Sequence, residues 1–464
     1  MRKGSAPGGR DAIPSRRWLP AGLIVVALSS TTGGAQSLET RSAGLQSGRL
    51  NFFPSLTVDY TYTDNIFYAN TNVPGGLVPS GVFTIRPQFL FSLPFSSNEI
   101  RFSYAPLLRH YGSNQYAELV TDASSRQLRS SHYFDFSGSF RLGSAISIQA
   151  AEHLLRGTQE LRGVDPGGEA VFGTVPFLLN NASVEFRVDL GARSGFSVIP
   201  TYSNVTFDQS VNAVFYNYTT HGLEGRYNHL MTSATTLYAS YGVETTDQTR
   251  DSSLFGDVTV DTRRAGIGVT RTLNRAIQAN AFVGYSTMTF TGGADSDYSG
   301  LIFNAGTHWL ISEVTRLDLT IQQQPYQSFY VNNNYYLYRA VSARLQRQVG
   351  QSILLFGGAS YEDNIYSDKL DPTGFESSFC EPATITGDCP SAGERRRDHA
   401  LHFEAGVGFQ VRPTLRWLVG YNRDVRQSNS QQTLLDDQGA FIEFYDPFDY
   451  QVNRFFVRLE LGWL

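Results

Sequence analysis

The sequence predicts an all-β protein: a transmembrane antiparallel β-barrel of about 18 strands, with short periplasmic turns and long extracellular loops. Three observations carry that expectation. In the last eleven residues, Arg454 to Leu464, one face holds Phe455, Val457, Leu459, Leu461 and Trp463, and the other Arg458, Glu460 and Gly462. Strand side chains alternate with period two, so this segment can face lipid on one side and water on the other. About nine to eleven tilted residues suffice to cross a bilayer. The second observation is an export leader at the other end of the chain, and the third is a regular alternation of short and long links.

The leader comes first. Arg2, Lys3, Arg10, Arg16 and Arg17 precede an apolar run from Trp18 to Leu28, followed by Gly33, Gly34 and Ala35. Residues 1–35 therefore read as a signal peptide cleaved after Ala35. The run is interrupted by Pro20 and too short to span a membrane as a helix. Ser15-Arg16-Arg17-Trp18-Leu19 looks like a twin-arginine signal, but a barrel must reach its membrane unfolded, so the pair reads as ordinary leader charge. With no cysteine near the cleavage point, lipoprotein processing is not expected. Residues 36–53 read as a short periplasmic segment and residues 54–464 as the barrel. A plug domain does not fit in 36–53, so an energy-coupled transporter carrying one is not expected.

Composition narrows the class. Aromatic residues make up 13%, with 25 Tyr and 32 Phe, as membrane-interface girdles require. No later stretch approaches the roughly 18 consecutive apolar residues of a helical span. The net charge of -5 argues against a nucleic-acid surface. Two or three soluble domains would show helical periodicity or linkers, and neither is present.

Period-two segments are expected near 55–63, 82–93, 99–110, 130–140, 145–156, 180–190, 195–205, 215–227 and 233–245. The series continues at 258–271, 276–288, 300–310, 315–324, 335–346, 352–362, 399–410, 415–425 and 452–464. The sixth is the cleanest: Ala182, Val184, Phe186, Val188 and Leu190 alternate with Ser183, Glu185, Arg187 and Asp189. Eighteen is even, as a single-chain bacterial barrel requires. Every second link is short: 94–98, 141–144, 191–194, 228–232, 272–275, 311–314, 347–351 and 411–414. The links at 64–81, 111–129, 157–179, 363–398 and 426–451 are long. A soluble sandwich has no reason to keep this alternation; an outer-membrane barrel does.

The alternation also sets topology. With both termini periplasmic, Tyr62, Tyr202, Tyr241, Tyr285, Tyr361 and Tyr421 fall at external strand ends, and Trp309, Trp417 and Trp463 at periplasmic ends. Amphipathic rings concentrate at both membrane interfaces. The opposite register places Asp59, Arg86, Arg101, Arg109, Asp135, Glu185, Arg187, Asp189, Glu404 and Arg458 on the lumen. A barrel of this size is wide enough for an aqueous channel unless loops fill it. Mixed charge suits a neutral or weakly charged polar solute such as a sugar, with weak ion selectivity. These residues could equally satisfy one another across a wet lumen.

Two similar stretches, Tyr62 to Phe67 and Tyr361 to Tyr366, carry Asp64-Asn65 and Asp363-Asn364, and Tyr421 to Val425 is a looser copy. Asp and Asn bond their own backbone, so these read as strand exits into loops rather than calcium or ligand sites. Within 441–450, Phe441, Phe444, Tyr445, Phe448 and Tyr450 mix with carboxylates. Such a loop can stack on sugar rings, or fold over the mouth as an apolar lid. Arg395, Arg396 and Arg397 read as a solvated run. Cys380 and Cys389, alone in one loop of an exported chain, are expected to form a disulfide. No metal or cofactor site is expected, since no His stands near the cysteines to complete a ligand set. The eight His are dispersed, His399 and His402 point to opposite faces of a strand, and no Gly-x-Ser-x-Gly occurs, so an enzyme is not expected.

The leader, the first strand with its Tyr62 to Phe67 exit, and the aromatic terminal strand together resemble the β-barrel porin family that includes outer-membrane proteins of exopolysaccharide loci. The terminal strand is also similar to the signal read by barrel-assembly machinery, although Trp463 is penultimate where the aromatic is usually last. The resemblance implies an outer-membrane barrel serving polysaccharide export. Its partners would be the lipid bilayer, the assembly machinery, and polysaccharide with periplasmic export components. The alternative is a non-conducting surface barrel that binds or assembles polysaccharide through its extracellular loops.

Overall fold

Where both sides of a segment alternate between apolar and polar, full closure of the sheet is the arrangement that leaves no unpaired strand edge in hydrocarbon. The computed structural model describes residues 45–66, 68, 77–112, 128–157, 176–208, 217–249, 257–274, 276–292, 297–328, 333–369, 395–429, 432–435, 441–445 and 449–462. A short β1 (Leu45–Ser47) is followed by β2 (Leu50–Thr63), β3 (Ser80–Phe95), β4 (Asn98–Tyr111), β5 (Leu128–Leu142), β6 (Ile146–Gly157) and β7 (Phe177–Asp189). Next come β8 (Ser194–Phe207), β9 (Asn217–Thr232), β10 (Thr235–Thr249), β11 (Val258–Thr272), β12 (Ile277–Thr291), β13 (Tyr298–Ser312) and β14 (Thr315–Gln327). The chain finishes with β15 (Tyr335–Val349), β16 (Ile353–Lys369), β17 (Arg395–Arg412), β18 (Leu415–Ser428), β19 (Gln432–Leu435), β20 (Phe441–Tyr445) and β21 (Tyr450–Gly462).

Strands β2 to β18 and β21 form the closed antiparallel barrel of eighteen. Closure runs from β21 to β2, with Asp59 opposite Arg458 and Thr63 opposite Arg454. Strand β1 pairs with β2 alone, and β19 with β20 makes a separate hairpin in the last external link. Because β2 already begins at Leu50, the wall starts inside the segment read from sequence as a short periplasmic stretch.

The short turns are tighter than alternation alone suggested. The expected link 228–232 lies inside β9, which runs to Thr232, and the turn itself is Ser233 and Ala234. In the turns after β5 and β15, Gly143 and Gly350 take φ of 68° and 62°, a left-handed geometry that glycine enters at little cost. Proline leaves its mark within the sheet. The β3–β4 ladder skips from Ile85 opposite Leu108 to Phe89 opposite Tyr104, around Pro87 and Pro106, which cannot donate to it.

Outward rungs are apolar through the middle of the wall. Tyr62, Phe455 and Tyr421 stand in one rung, Tyr241, Ala265, Tyr285 and Leu301 in another, and Tyr361, Leu401 and Val425 in a third. Tyr421 and Phe455 pack with ring centroids 4.8 Å apart. Toward the periplasm, Trp309 and Trp417 project outward on the same face. One rung beyond Tyr361 the outward face turns polar, with Gln323, Arg339, Asp363, His399 and Gln427 in line across five strands. A 15-residue strand tilted by about 40° rises roughly 38 Å against an apolar band of about 25 Å, so the strands overhang the membrane on this side. Glu152 departs from the pattern: it faces outward between Phe136 and Ala182, and nothing in the structure explains it.

The lumen and external mouth as the candidate functional site

Register places Asp59, Arg86, Arg101, Arg109, Asp135, Glu185, Arg187, Asp189, Glu404 and Arg458 on the face opposite the outward apolar side chains. Most of them are paired. Arg458 Nε donates to Asp59 at 3.1 Å, Arg187 to Asp189 at 2.9 Å and Arg101 to Glu99 at 2.7 Å. Ser197 donates to the buried Glu185 at 2.6 Å, and His153 stands 2.6 Å from Asp135. Arg344 Nε lies 3.2 Å from Glu404. Further pairs join Arg416 to Glu460, Arg226 to Glu224 and Arg264 to Glu244. These bonds lay long side chains flat along the wall, so the lumen is polar and carries both signs without a dense field of either.

At the external ends the inward face changes character. Leu155, Phe177, Leu179, Val205 and Phe207 bury one another at the tips of β6 to β8. Val258, Val260, Met288, Tyr298 and Tyr335 do so across β11 to β15, and Tyr336, Tyr338 and Tyr366 on β15 and β16. Beside the tyrosines sits a buried ionic cluster. Arg396 grips the Asp398 carboxylate with two bonds of 3.1 and 2.8 Å and lies 4.2 Å from the centre of the Tyr366 ring. Arg426 bonds the same carboxylate, and the Tyr366 hydroxyl donates to it at 3.1 Å. Two buried cations on one buried anion are stable only with such complete pairing. Asp449, just before β21, accepts the Ser428 N–H at 2.7 Å, and burial pushes its carboxyl above the ordinary range.

The loop residues proposed for sugar contact divide. Tyr450 is buried, edge-on to Tyr68 at 5.1 Å between ring centres, rather than displayed. The side chains of Phe441, Phe444 and Tyr445, and the whole of Phe448, lie outside the described residues, as do Cys380, Cys389, Phe67, Trp463 and residues 1–35. Among the described residues no cluster of three or more His, Cys, Asp or Glu could hold a metal.

Comparison with known proteins now adds to this geometry. Residues 40–376 match the family described as Putative beta-barrel porin 2. The chain belongs to that family. Among solved structures, the outer-membrane protein OpdK of Pseudomonas aeruginosa is 12% identical with a TM-score of 0.46, covering 89% of this chain and 99% of its own. Acinetobacter baumannii OccAB3 is 11% identical with a TM-score of 0.42, covering 89% and 99%. The siderophore receptor PirA of Pseudomonas aeruginosa is 10% identical with a TM-score of 0.43, covering 90% and 81%. Likeness at this level carries nothing about solute. No protein of curated function matches the sequence. Family and closed barrel together make the protein a porin-like β-barrel of the outer membrane.

Several features of this porin's mouth were not foreseen. Asp363-Asn364 and Asp424 are not strand exits, because β16 runs on to Lys369 and β18 to Ser428. Asp64 and Asn65, by contrast, do follow the end of β2, and Asp64 holds the N–H of Asn453 at 2.8 Å. The solvated arginine run is split by strand alternation: Arg396 points inward and is buried, while Arg397 points outward and forks onto Asp363 at 2.7 and 2.9 Å. A signal was available in the two-residue spacing of Arg396 and Asp398. It becomes readable only once β17 is known to start at Arg395.

Proposed function

We propose that this porin conducts a polar, sugar-like solute and serves the export of a secreted polysaccharide. The observation that carries the reading is the inward lattice of paired charges, a wall offering donors and acceptors below the external mouth. Hydroxyl-rich chains exchange hydrogen bonds with such a surface at little net cost, and no step of catalysis is needed. The outer-leaflet and periplasmic partners in this reading are the lipid bilayer, the barrel-assembly machinery and periplasmic export components. Purified protein in planar bilayers should carry current, and shortening the link 429–449 should raise it. A shortened barrel without current, together with unchanged secreted polysaccharide after gene deletion, would overturn the reading.

One observation favours a second reading. The apolar clusters and the Arg396–Asp398–Arg426 group fill inward positions at the external ends. A mouth occupied in this way suits a surface barrel that holds polysaccharide on its loops without conducting it. Polysaccharide binding by intact cells, lost on loop shortening while no current appears, would select it.

A further inference from the structure

The inward pairs described above do not include Arg86. Arg86 stands on the inner face of β3, opposite Thr57, and reaches into the lumen exposed. Among the described residues it makes no hydrogen bond or ion pair, although the carboxylates of two neighbouring strands are close by. Both of those are engaged elsewhere. Glu460, beyond Thr57 in the same rung, is held by the buried Arg416 at 3.0 Å from Nε. Asp59 accepts from Arg458 at 3.1 Å and from the Thr61 hydroxyl at 2.7 Å. Arg458 and Arg109 act on Arg86 electrostatically as well as Glu460, and Arg129 stands opposite Arg109 on β5. Along these rungs Arg458 and Arg416 are taken up by Asp59 and Glu460, which leaves neither carboxylate to Arg86.

An exposed guanidinium with no carboxylate of its own attracts anions, and its planar fork matches an oxyanion. Arg86 also sits where Pro87 and Pro106 interrupt the β3–β4 ladder, so its backbone is held by fewer neighbours than elsewhere in the wall. We propose that Arg86 is the centre of an anion-contact site in the lumen, taking the carboxylate of an acidic sugar such as a uronate. The site gives the channel a preference for anionic over neutral saccharide. This inference rests on the conducting reading above and names the solute class of the same lumen.

The experiment uses the full chain and its loop-shortened form in planar bilayers under a KCl gradient, with galacturonate and galactose as probes. The wild type should favour chloride over potassium, and galacturonate should reduce the current at lower concentration than galactose. Arg86→Gln should lower the chloride-to-potassium ratio by about fivefold, the effect of one nearby charge in a watery site, and abolish the difference between the two sugars. Arg86→Lys should keep both preferences in weaker form. The neutral change Asn304→Ala, on the far wall, should leave both in place. Current without preference for chloride, or an unchanged ratio in Arg86→Gln, overturns the inference alone. Absence of current from every form overturns the conducting reading and this inference with it.

Discussion

Two stretches of the inner wall face each other with opposite chemistry. On β12 and β13 the inward positions run Asn280, Phe282, Gly284 and Ser286, then Gly300, Ile302, Asn304 and Gly306, with no charged side chain among them. On β18, β21, β2 and β3 the inward positions carry Arg416, Arg458, Glu460, Asp59 and Arg86. The uncharged wall is flattened by packing: the Phe282 ring lies over Gly266 and Gly284, where an added Cβ would sit 2.5 and 3.0 Å from it. The charged wall is flattened by pairing, arginine to carboxylate, except at Arg86. A solute passing between them therefore meets a smooth, uncharged surface on one side and a partly neutralised cationic one on the other. Selectivity in such a lumen comes from a single unbalanced rung more than from total charge, which is why the overall count of -5 gives no guide to it.

The largest expected effect lies where the charged wall passes into the buried mouth. Asp398→Ala removes the carboxylate shared by the buried Arg396 and Arg426. The loss should be about 3–5 kcal/mol, seen as a lower urea midpoint in a heat-modifiability assay. A change below 1 kcal/mol would show that water reaches these arginines and that the mouth is open. Second comes the contrast between outer and inner faces of one strand. Phe186→Arg, on the outward face, should cost about 2–4 kcal/mol in lipid. Glu185→Gln, one residue away and inward, should cost only about 1 kcal/mol, through its bond from Ser197. Equal costs would mean the register of β7 is wrong.

The contrast on β7 was legible in the sequence because lipid imposes strict alternation on one face. The eighteen strands and their short turns follow from the same rule. Strand ends were not legible, since a strand stops where its neighbours cease to bond it. Asp363 continues β16 only because Arg339 on β15 and His399 on β17 are there to pair with it. The turn after β9 was misplaced for a similar reason: Asn228 looks like a turn residue, yet Gly195 and Tyr238 bond it on either side. The lumen positions were readable singly, but their pairings were not. Arg458 meets Asp59 across the barrel's closure, nearly the whole chain apart in sequence. That Arg86 is left over could be seen only after every such pair was placed.

The uncharged wall offers a smaller test. Gly266→Ala puts a Cβ within 2.6 Å of the Val283 carbonyl oxygen and against the Phe282 ring. Ring and backbone must both shift, at about 1–3 kcal/mol. Chloride preference should not change, because the nearest inward charge, Arg264, is already paired with Glu244. A change in selectivity would mean that Phe282 shapes the narrowest point of the lumen, and that the two walls do not act separately.

The smallest stability effect, and the sharpest comparison, belongs to the Asp59–Arg458 pair. Its side chains are 12% and 21% exposed, and the carboxylate also receives the Thr61 hydroxyl, so the pair is wetted and only partly buried. A double-mutant cycle of Asp59→Asn and Arg458→Gln should therefore give a coupling of roughly 0.5–1 kcal/mol. Its electrical effect runs the other way from that of Arg86→Gln. Asp59→Asn frees Arg458 beside Arg86, so the charged wall holds two unbalanced cations and chloride preference should rise. Arg458→Gln frees Asp59 instead and should lower it, toward the value of Arg86→Gln. Reversal potentials of the two single variants that move in the same direction would mean that the charge of this wall does not govern passage.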